Sequence, residues 1–301
     1  MAKLRGALYM NPASGSADAA RASRIRAAVT ARGVDVVELV PELDLDGDIR
    51  ARISRGERAI IAAGGDGTIH SVAQSVVGTE AVLGVLPVGT WNHFARDLDL
   101  PMEWEAALDI ALEGEIRAVD VGRVNDRYFM NNLSLGLYPE IVRHREQFRK
   151  LGKWRAYLKA SRAAVKSYPH VAISIETPHM LETIRTHVFM VSVNPYQLDQ
   201  PGVIAPRKTL DGGFLSAYWL PHMPRLQFIR TLARYLRGKV VEGGLRSLQT
   251  TQVKVQSSHS SIRVGIDGEL RDISTPLNIS IVRSGISVRV PRSGGERREA
   301  L

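Results

Sequence analysis

The stretch Arg58-Ala-Ile-Ile-Ala-Ala63 followed by Gly64-Gly-Asp-Gly-Thr68 decides how this chain is read. A short apolar run rich in Ile and Ala is broken by a glycine-rich turn, and Ile69 to Val77 then reads as a helix. That order predicts a buried strand, a tight loop and a helix opening directly from the loop. Consecutive glycines let the backbone come close to a ligand and take positive φ, so amide hydrogens can converge on phosphate oxygens while the helix N-terminus adds its dipole. Asp66 repels phosphate, which leaves it two roles: holding the loop, or reaching a nucleotide through Mg²⁺ or water. An ordinary Asp-Gly turn is the plain alternative.

The pattern repeats on both sides of this unit. Leu4 to Met10, Val34 to Val40 and Ala81 to Pro87 read as strands, with helices over Ala17 to Arg32, Leu45 to Arg55 and Glu103 to Glu113. Strands separated by helices imply a parallel, doubly wound sheet covered on both faces. Two further small-residue segments follow predicted strands: Asn11-Pro-Ala-Ser14-Gly15 and Pro87-Val-Gly89-Thr90. The carboxyl ends of parallel strands line the ligand crevice of an open α/β sheet, so the three loops are expected to form one nucleotide site. No Gly-Lys-Ser/Thr follows the glycines, and their spacing differs from the dinucleotide fingerprint.

From Val119 the texture changes. Val119 to Val124, Arg127 to Leu135, Val171 to Thr177, Thr183 to Val193, Val253 to Gln256, Ser261 to Gly265, Leu277 to Val282 and Ile286 to Val290 read as strands, predicting a mostly antiparallel β-sandwich. The expected division is a domain over 1–117 and a second over 118–284, with 285–301 able to pack back on the first.

Composition sets the outer limits. With 301 residues and 44% hydrophobic content the chain can bury a substantial core, and 0 Cys excludes disulfides, thiolate zinc sites and cysteine nucleophiles. Met1 to Gly6 lacks a signal-peptide pattern, and no window is apolar for the length of a membrane span. A net charge of +9 draws the molecule to polyanions. No helix-turn-helix, zinc-ligand or RNP-like pattern accompanies that charge, so nucleic acid is not an expected partner. Two basic segments with interleaved apolar residues, 143–166 and 225–237, instead suggest contact with an anionic membrane. In the second, Leu226, Ile229, Ala233 and Leu236 share one helical face and Arg230, Arg234 and Arg237 another. A domain helix with its apolar face in the core explains either segment equally well.

Asn11-Pro-x-Ser-Gly15, Gly64-Gly-Asp-Gly-Thr68 and Pro87-Val-Gly-Thr-Trp-Asn-His-Phe-Ala-Arg96 together resemble the signature of the diacylglycerol kinase catalytic domain family. Asp120-Val-Gly, Asn131-Asn-Leu-Ser-Leu-Gly136 and Ile266-Asp-Gly-Glu269 extend the resemblance over nearly the whole chain. It implies a phosphofructokinase-like N-terminal domain binding ATP, a β-rich domain contributing catalytic groups and lipid contacts, and phosphorylation of a lipid hydroxyl. Residues placed by it at the ATP site are Asn11, Ser14, Gly15, Gly64, Gly65, Asp66, Gly67, Thr68, Gly89, Thr90 and Asn92. It makes Asp267 the general base and Glu269 a neighbour holding geometry or metal. By its residues alone, Asp267-Gly268 is a hairpin turn.

The family pattern is incomplete. Its usual Asp after the Asn of the third motif is His93, and its further acids stand as Gly212 and Ser216, leaving Asp211 as the remaining Mg²⁺ ligand. Phe94 and Leu98 form the buried side of a short helix, where His93 is expected to cap or pack. An NAD kinase shares the glycine loop, and a catalytically silent nucleotide- or lipid-binding protein fits the missing acids. The implied setting is cytoplasmic and peripherally membrane-associated, with a lipid substrate at the membrane surface and a homodimer left open.

Overall fold

The structure is a computed structural model describing residues 6–11, 19–147, 155, 159–160, 162–163, 165–166, 170–197, 207, 209–236 and 244–292. It divides into two compact units, Met1–Val119 with Ser284–Leu301, and Asp120–Arg283.

In the first unit, strands β1 (Gly6–Met10), β2 (Asp35–Glu38), β3 (Ala59–Gly64) and β4 (Val82–Pro87) alternate with helices α1 (Ala19–Ala31), α2 (Leu45–Ser54) and α3 (Asp66–Val76). Helices α4 (His93–Asp97) and α5 (Trp104–Glu113) follow β4. The strands are parallel in the order β2-β1-β3-β4, and Ser287 and Val288 of β15 (Leu277–Val290) add a further parallel pairing beside β4. The chain moves outward from β1 to β2 and then returns to build β3 and β4 on the other side. The reversal falls between β1 and β3, so the crevice of this doubly wound sheet opens at their carboxyl ends.

Alternation along each strand assigns its two faces. Leu8, Met10, Ile61, Ala63 and Leu86 pack with Ile25 and Val29 of α1 and Leu108, Ala111 and Leu112 of α5. The opposite face takes α2 and α3, and Tyr9, wholly buried on β1, donates its hydroxyl to Asp48 Oδ2 at 2.6 Å. Burial, the hydrogen bond and the Asp48 charge all push the Tyr9 phenol above its ordinary range. Arg52 completes this cluster, meeting Asp48, Asp35 and Glu57 at 3.0–3.1 Å.

In the second unit the pairing is antiparallel throughout. Its strands are the end of β5 (Glu115–Val124), β6 (Arg127–Phe129), β7 (Asn132–Gly136), β8 (Val171–Thr177), β9 (Met180–Val193), β10 (Leu215–Pro221), β11 (Arg246–Thr250), β12 (Gln252–Gln256), β13 (Ser261–Ile266), β14 (Glu269–Ser274) and the beginning of β15. Their inward residues form one cluster that includes Phe129, Leu135, Ile175, Phe189, Val191, Leu215, Val255, Val264 and Ile279. Each such side chain, fully buried, contributes about 1.5–3 kcal/mol. Helices α6 (Leu137–Gln147) and α7 (Arg225–Leu236) cover a smaller group of Leu137, Met223 and Phe228.

Two departures from the expected strands have physical causes. The stretch expected as a single strand over Arg127 to Leu135 is interrupted between β6 and β7, because the amides of Met130 and Asn131 turn to the Asp267 carboxylate instead of a ladder partner. The segments expected as separate strands at Leu277 to Val282 and Ile286 to Val290 form one strand, β15, in which Ser284 takes φ 48°.

Candidate functional site

Asn11, Gly64–Thr68 and Pro87–Asn92 follow β1, β3 and β4, so the sheet order places all three at neighbouring strand ends. Asn11 donates its backbone N–H to Ala63 O at 3.4 Å, and Val88 donates to Gly64 O at 3.2 Å. Ser14 and Gly15 lie outside the described residues.

The second and third loops are in direct contact. A Cβ on Gly89 would stand 2.2 Å from Gly65 Cα and 2.7 Å from Asn92 Oδ1, and one on Gly64 would strike the Thr68 side chain at 2.3 Å. The expectation of positive φ is corrected here: none of Gly64, Gly65, Gly67 and Gly89 takes it, and Gly65 is extended at φ −88°. Lack of space, not backbone freedom, excludes a side chain at Gly64 and Gly89. Gly65 differs, since its added Cβ would meet only Gly89 Cα, at an ordinary 3.4 Å.

Asp66 holds the loops together by accepting the Phe94 N–H on Oδ1 at 3.2 Å, which ties the start of α3 to the start of α4. Gly65, the N-cap of α3, supplies no side chain to cap the helix amides. Asn92 sits at φ 50° and donates Nδ2 to Pro87 O and Gly89 O at 3.2 and 3.3 Å. Its Oδ1 is buried and has no hydrogen-bond partner in a side chain only 5% exposed. Such an atom costs about 1–3 kcal/mol unless something donates to it. Thr68 is buried, Thr90 is exposed, and Phe94 and Leu98 are buried as expected. His93 opens α4 and stacks parallel to Trp91 with ring centroids 6.1 Å apart. A cavity of about 510 Å³ adjoins Pro87 and Val88, lined also by Arg21, Arg24, Met102 and Trp104.

In the second unit Asp267 and Gly268 form the hairpin turn between β13 and β14, with φ of 46° and 88° and Ile266 opposite Glu269. Positive φ at both central residues is the turn that suits the right-handed twist of the strands. The Asp267 carboxylate reaches back to the β6–β7 break, accepting N–H from Met130 on Oδ2 at 2.8 Å and from Asn131 and Asn132 on Oδ1 at 2.8 and 3.0 Å. Its own N–H donates to Asn132 O at 2.9 Å. The turn and the functional candidate are thus the same residue. Glu269, one strand position beyond the turn, pairs with Arg271 at 2.9 Å on the surface.

A polar network that sequence reasoning left unassigned supports the same break. The Tyr196 hydroxyl donates to Asn131 Oδ1 at 2.5 Å and accepts from Asn132 Nδ2 at 3.0 Å, while buried Arg207 donates to Met130 O. Nearby in the fold, buried Asp120 accepts from Gly213 N at 2.7 Å and Asn194 Nδ2 at 3.1 Å. The Asp120-Val-Gly stretch was the one signal for this group. A Cβ on Gly212 would lie 2.8 Å from Asn194 Oδ1, so the packing of this loop has no room for an acid there. Asp211 is exposed and accepts the Thr209 hydroxyl. Among the described residues no three His, Asp or Glu side chains gather as a metal-binding group.

A doubly wound sheet whose strand ends present a glycine loop is thus joined in one chain to an antiparallel β unit carrying a fixed carboxylate, and comparison with known proteins supplies the class. The model of the diacylglycerol kinase catalytic domain matches residues 5–124. The chain is 30% identical over 248 residues to the diacylglycerol kinase of Bacillus subtilis (strain 168), covering 79% of each. It is 28% identical over 298 residues, and 94% of each chain, to the diacylglycerol kinase of Mycobacterium tuberculosis (strain ATCC 25618 / H37Rv). A diacylglycerol kinase structure from Bacillus anthracis str. Sterne, 16% identical, covers 96% of this chain and 98% of its own with a TM-score of 0.70. A second structure from that organism, at 21% identity and the same coverage, gives 0.78. The chain belongs to the diacylglycerol kinase catalytic domain family, and its class is that of a lipid kinase.

Proposed function

We propose that this protein transfers the γ-phosphate of ATP to the hydroxyl of a membrane lipid: diacylglycerol, ceramide, a sphingoid base or a related lipid alcohol. The observation that carries the reading is the Gly64–Thr68 loop packed on Gly89 at the sheet reversal, with α3 beginning inside it. Phosphate oxygens suit such uncapped helix amides. The orphan Oδ1 of Asn92 offers an acceptor for a nucleotide hydroxyl or amine, and the adjoining cavity adds the Arg21 guanidinium, while Arg24 there is paired with Glu105 at 2.8 Å.

Mg²⁺ in such sites is commonly held by one or two carboxylates together with the substrate phosphates. The residues described here fit that sparse arrangement and not an all-protein cage. When bound, the ion would neutralise charge on the transferring phosphoryl group, with Asp66 or Asp211 as its side-chain ligand.

The remaining chemistry we assign to Asp267. The lipid oxygen forms its bond to the γ-phosphorus, the bond from that phosphorus to the bridging oxygen of ADP breaks, and the hydroxyl proton passes to the carboxylate. Three backbone amides hold that carboxylate in one orientation, so meeting the hydroxyl requires little reorganisation. Incubation with labelled ATP and either an extracted lipid mixture or NAD tests the reading. The expected product is a phosphorylated lipid identified by mass. Label in NADP, or ATP binding without phosphorylation of any lipid class, would overturn it.

A further inference from the structure

Helix α7 faces the opposite way from an ordinary amphipathic domain helix. Phe228 is its buried anchor, 1% exposed and packed with Leu137 and Met223, while Leu226 and Ile229 are 60% and 40% exposed. At about 100° per residue, Leu226 and Ile229 lie within about 60° of each other, and Phe228 lies on the far side of the helix. Of the two readings of this segment, a core-facing helix does not suit Leu226 and Ile229, which lie on the outer side. Arg230 and Arg234 flank it, both exposed and in no ion pair with a described residue. Arg225 is exposed as well and donates Nη2 to Lys166 O at 3.2 Å.

No Asp or Glu occurs from His222 to Val241, whereas Arg225, Arg230, Arg234, Arg237 and Lys239 all do. Leucine and isoleucine held in water beside uncompensated arginines match an interface that is apolar in depth and anionic at its surface. That is the chemistry of an anionic bilayer, with alkyl side chains entering the acyl boundary and guanidinium groups meeting headgroup phosphates and carboxylates. No helix among the described residues is long and apolar enough to cross a membrane.

We infer that the outer face of α7, built on Leu226, Ile229, Arg230 and Arg234, docks the protein on anionic lipid bilayers. The inference deepens the lipid-kinase reading by naming how the enzyme reaches its substrate. Its test uses the full chain and no nucleotide, so the two can fail separately. Sedimentation with phosphatidylcholine vesicles, with and without phosphatidylserine, should show binding only when phosphatidylserine is present.

Arg230→Glu with Arg234→Glu should weaken that binding by about 100-fold or more, since each basic residue near the surface is worth about a factor of five and each is here reversed. Leu226→Ser with Ile229→Ser should weaken it by about 10-fold or more through lost apolar insertion. All four positions are exposed, so unchanged thermal melting is the expected check on folding. Binding undiminished in both double variants would overturn the inference. So would a wild-type dimer that both variants convert to monomer, because the face would then be an interface between copies. A protein that binds vesicles but phosphorylates no lipid would leave the docking face standing and remove the activity.

Discussion

Replacing Asp267 by Asn tests whether one residue serves both as structural clasp and as proton acceptor. The side chain is nearly isosteric, but one acceptor oxygen becomes an NH₂ donor. The best Asn rotamer keeps its oxygen on the Asn131 and Asn132 amides, 2.8 and 3.0 Å away in the native protein, and turns its NH₂ toward the Met130 N–H. One charge-assisted hydrogen bond is lost, a donor faces a donor, and the other two bonds lose their charge. A loss of about 2–3 kcal/mol follows. For the 164 residues of the Asp120–Arg283 unit, that corresponds to a melting temperature about 4–12 °C lower. Removing a general base lowers turnover by about 10²–10⁴-fold. The assay pairs calorimetry with lipid phosphorylation measured well below the variant's melting point, and ATP affinity should stay close to wild type. Undiminished turnover would remove Asp267 as the base. Unchanged melting would refute the clasp.

Three further outcomes are expected. Gly65→Ala should melt like wild type yet bind ATP at least about 10-fold more weakly, whereas Gly89→Ala, whose Cβ would overlap Gly65 Cα, should lose about 1–3 kcal/mol or more without any nucleotide; equal melting of the two would contradict the packing of the loops. Gly212→Asp, which restores a family acid, should destabilise the protein through its contact with Asn194 Oδ1, and denaturant unfolding would reveal an unexpected tolerance. His222 is held below its ordinary pKa by partial desolvation and then by His187, Arg185 and His170. The unfolded chain then binds the extra proton more readily, so stability declines as pH falls through about 6.5 and levels off below the folded-state value. His222→Gln should flatten that decline in urea unfolding series run on either side of this window, and an unaltered slope would exclude His222 as its source.

Most of the fold was legible because its first unit is built from local signals. The apolar run Arg58 to Ala63 and the glycines after it dictate strand, loop and helix without reference to distant residues, and the βα alternation around them dictates a parallel sheet. The hairpin at Asp267-Gly268 was equally local, since two adjacent residues at positive φ favour just such a pair. Harder to read were features made by partners far apart in the chain. The break between β6 and β7 depends on Asp267, some 135–137 residues away, and propensity alone runs the strand straight through it. Asp120 was marked by the Asp120-Val-Gly stretch, but Asn194, Tyr196 and Arg207 carry no pattern of their own, and their roles appear only when the fold assembles them.

What residue order determined is the set of elements and the three small-residue loops, because propensity, turn chemistry and periodicity act over a few residues. Tertiary structure alone decided which contacts those elements make. It showed that Gly89 lacks a side chain for want of space beside Gly65, and that Asp267 is clasped by amides of another strand. It also turned Leu226 and Ile229 outward, a choice made by Phe228 finding a buried seat against Leu137 and Met223. Helical periodicity defines faces, but only packing against the rest of the molecule determines which face is left to water.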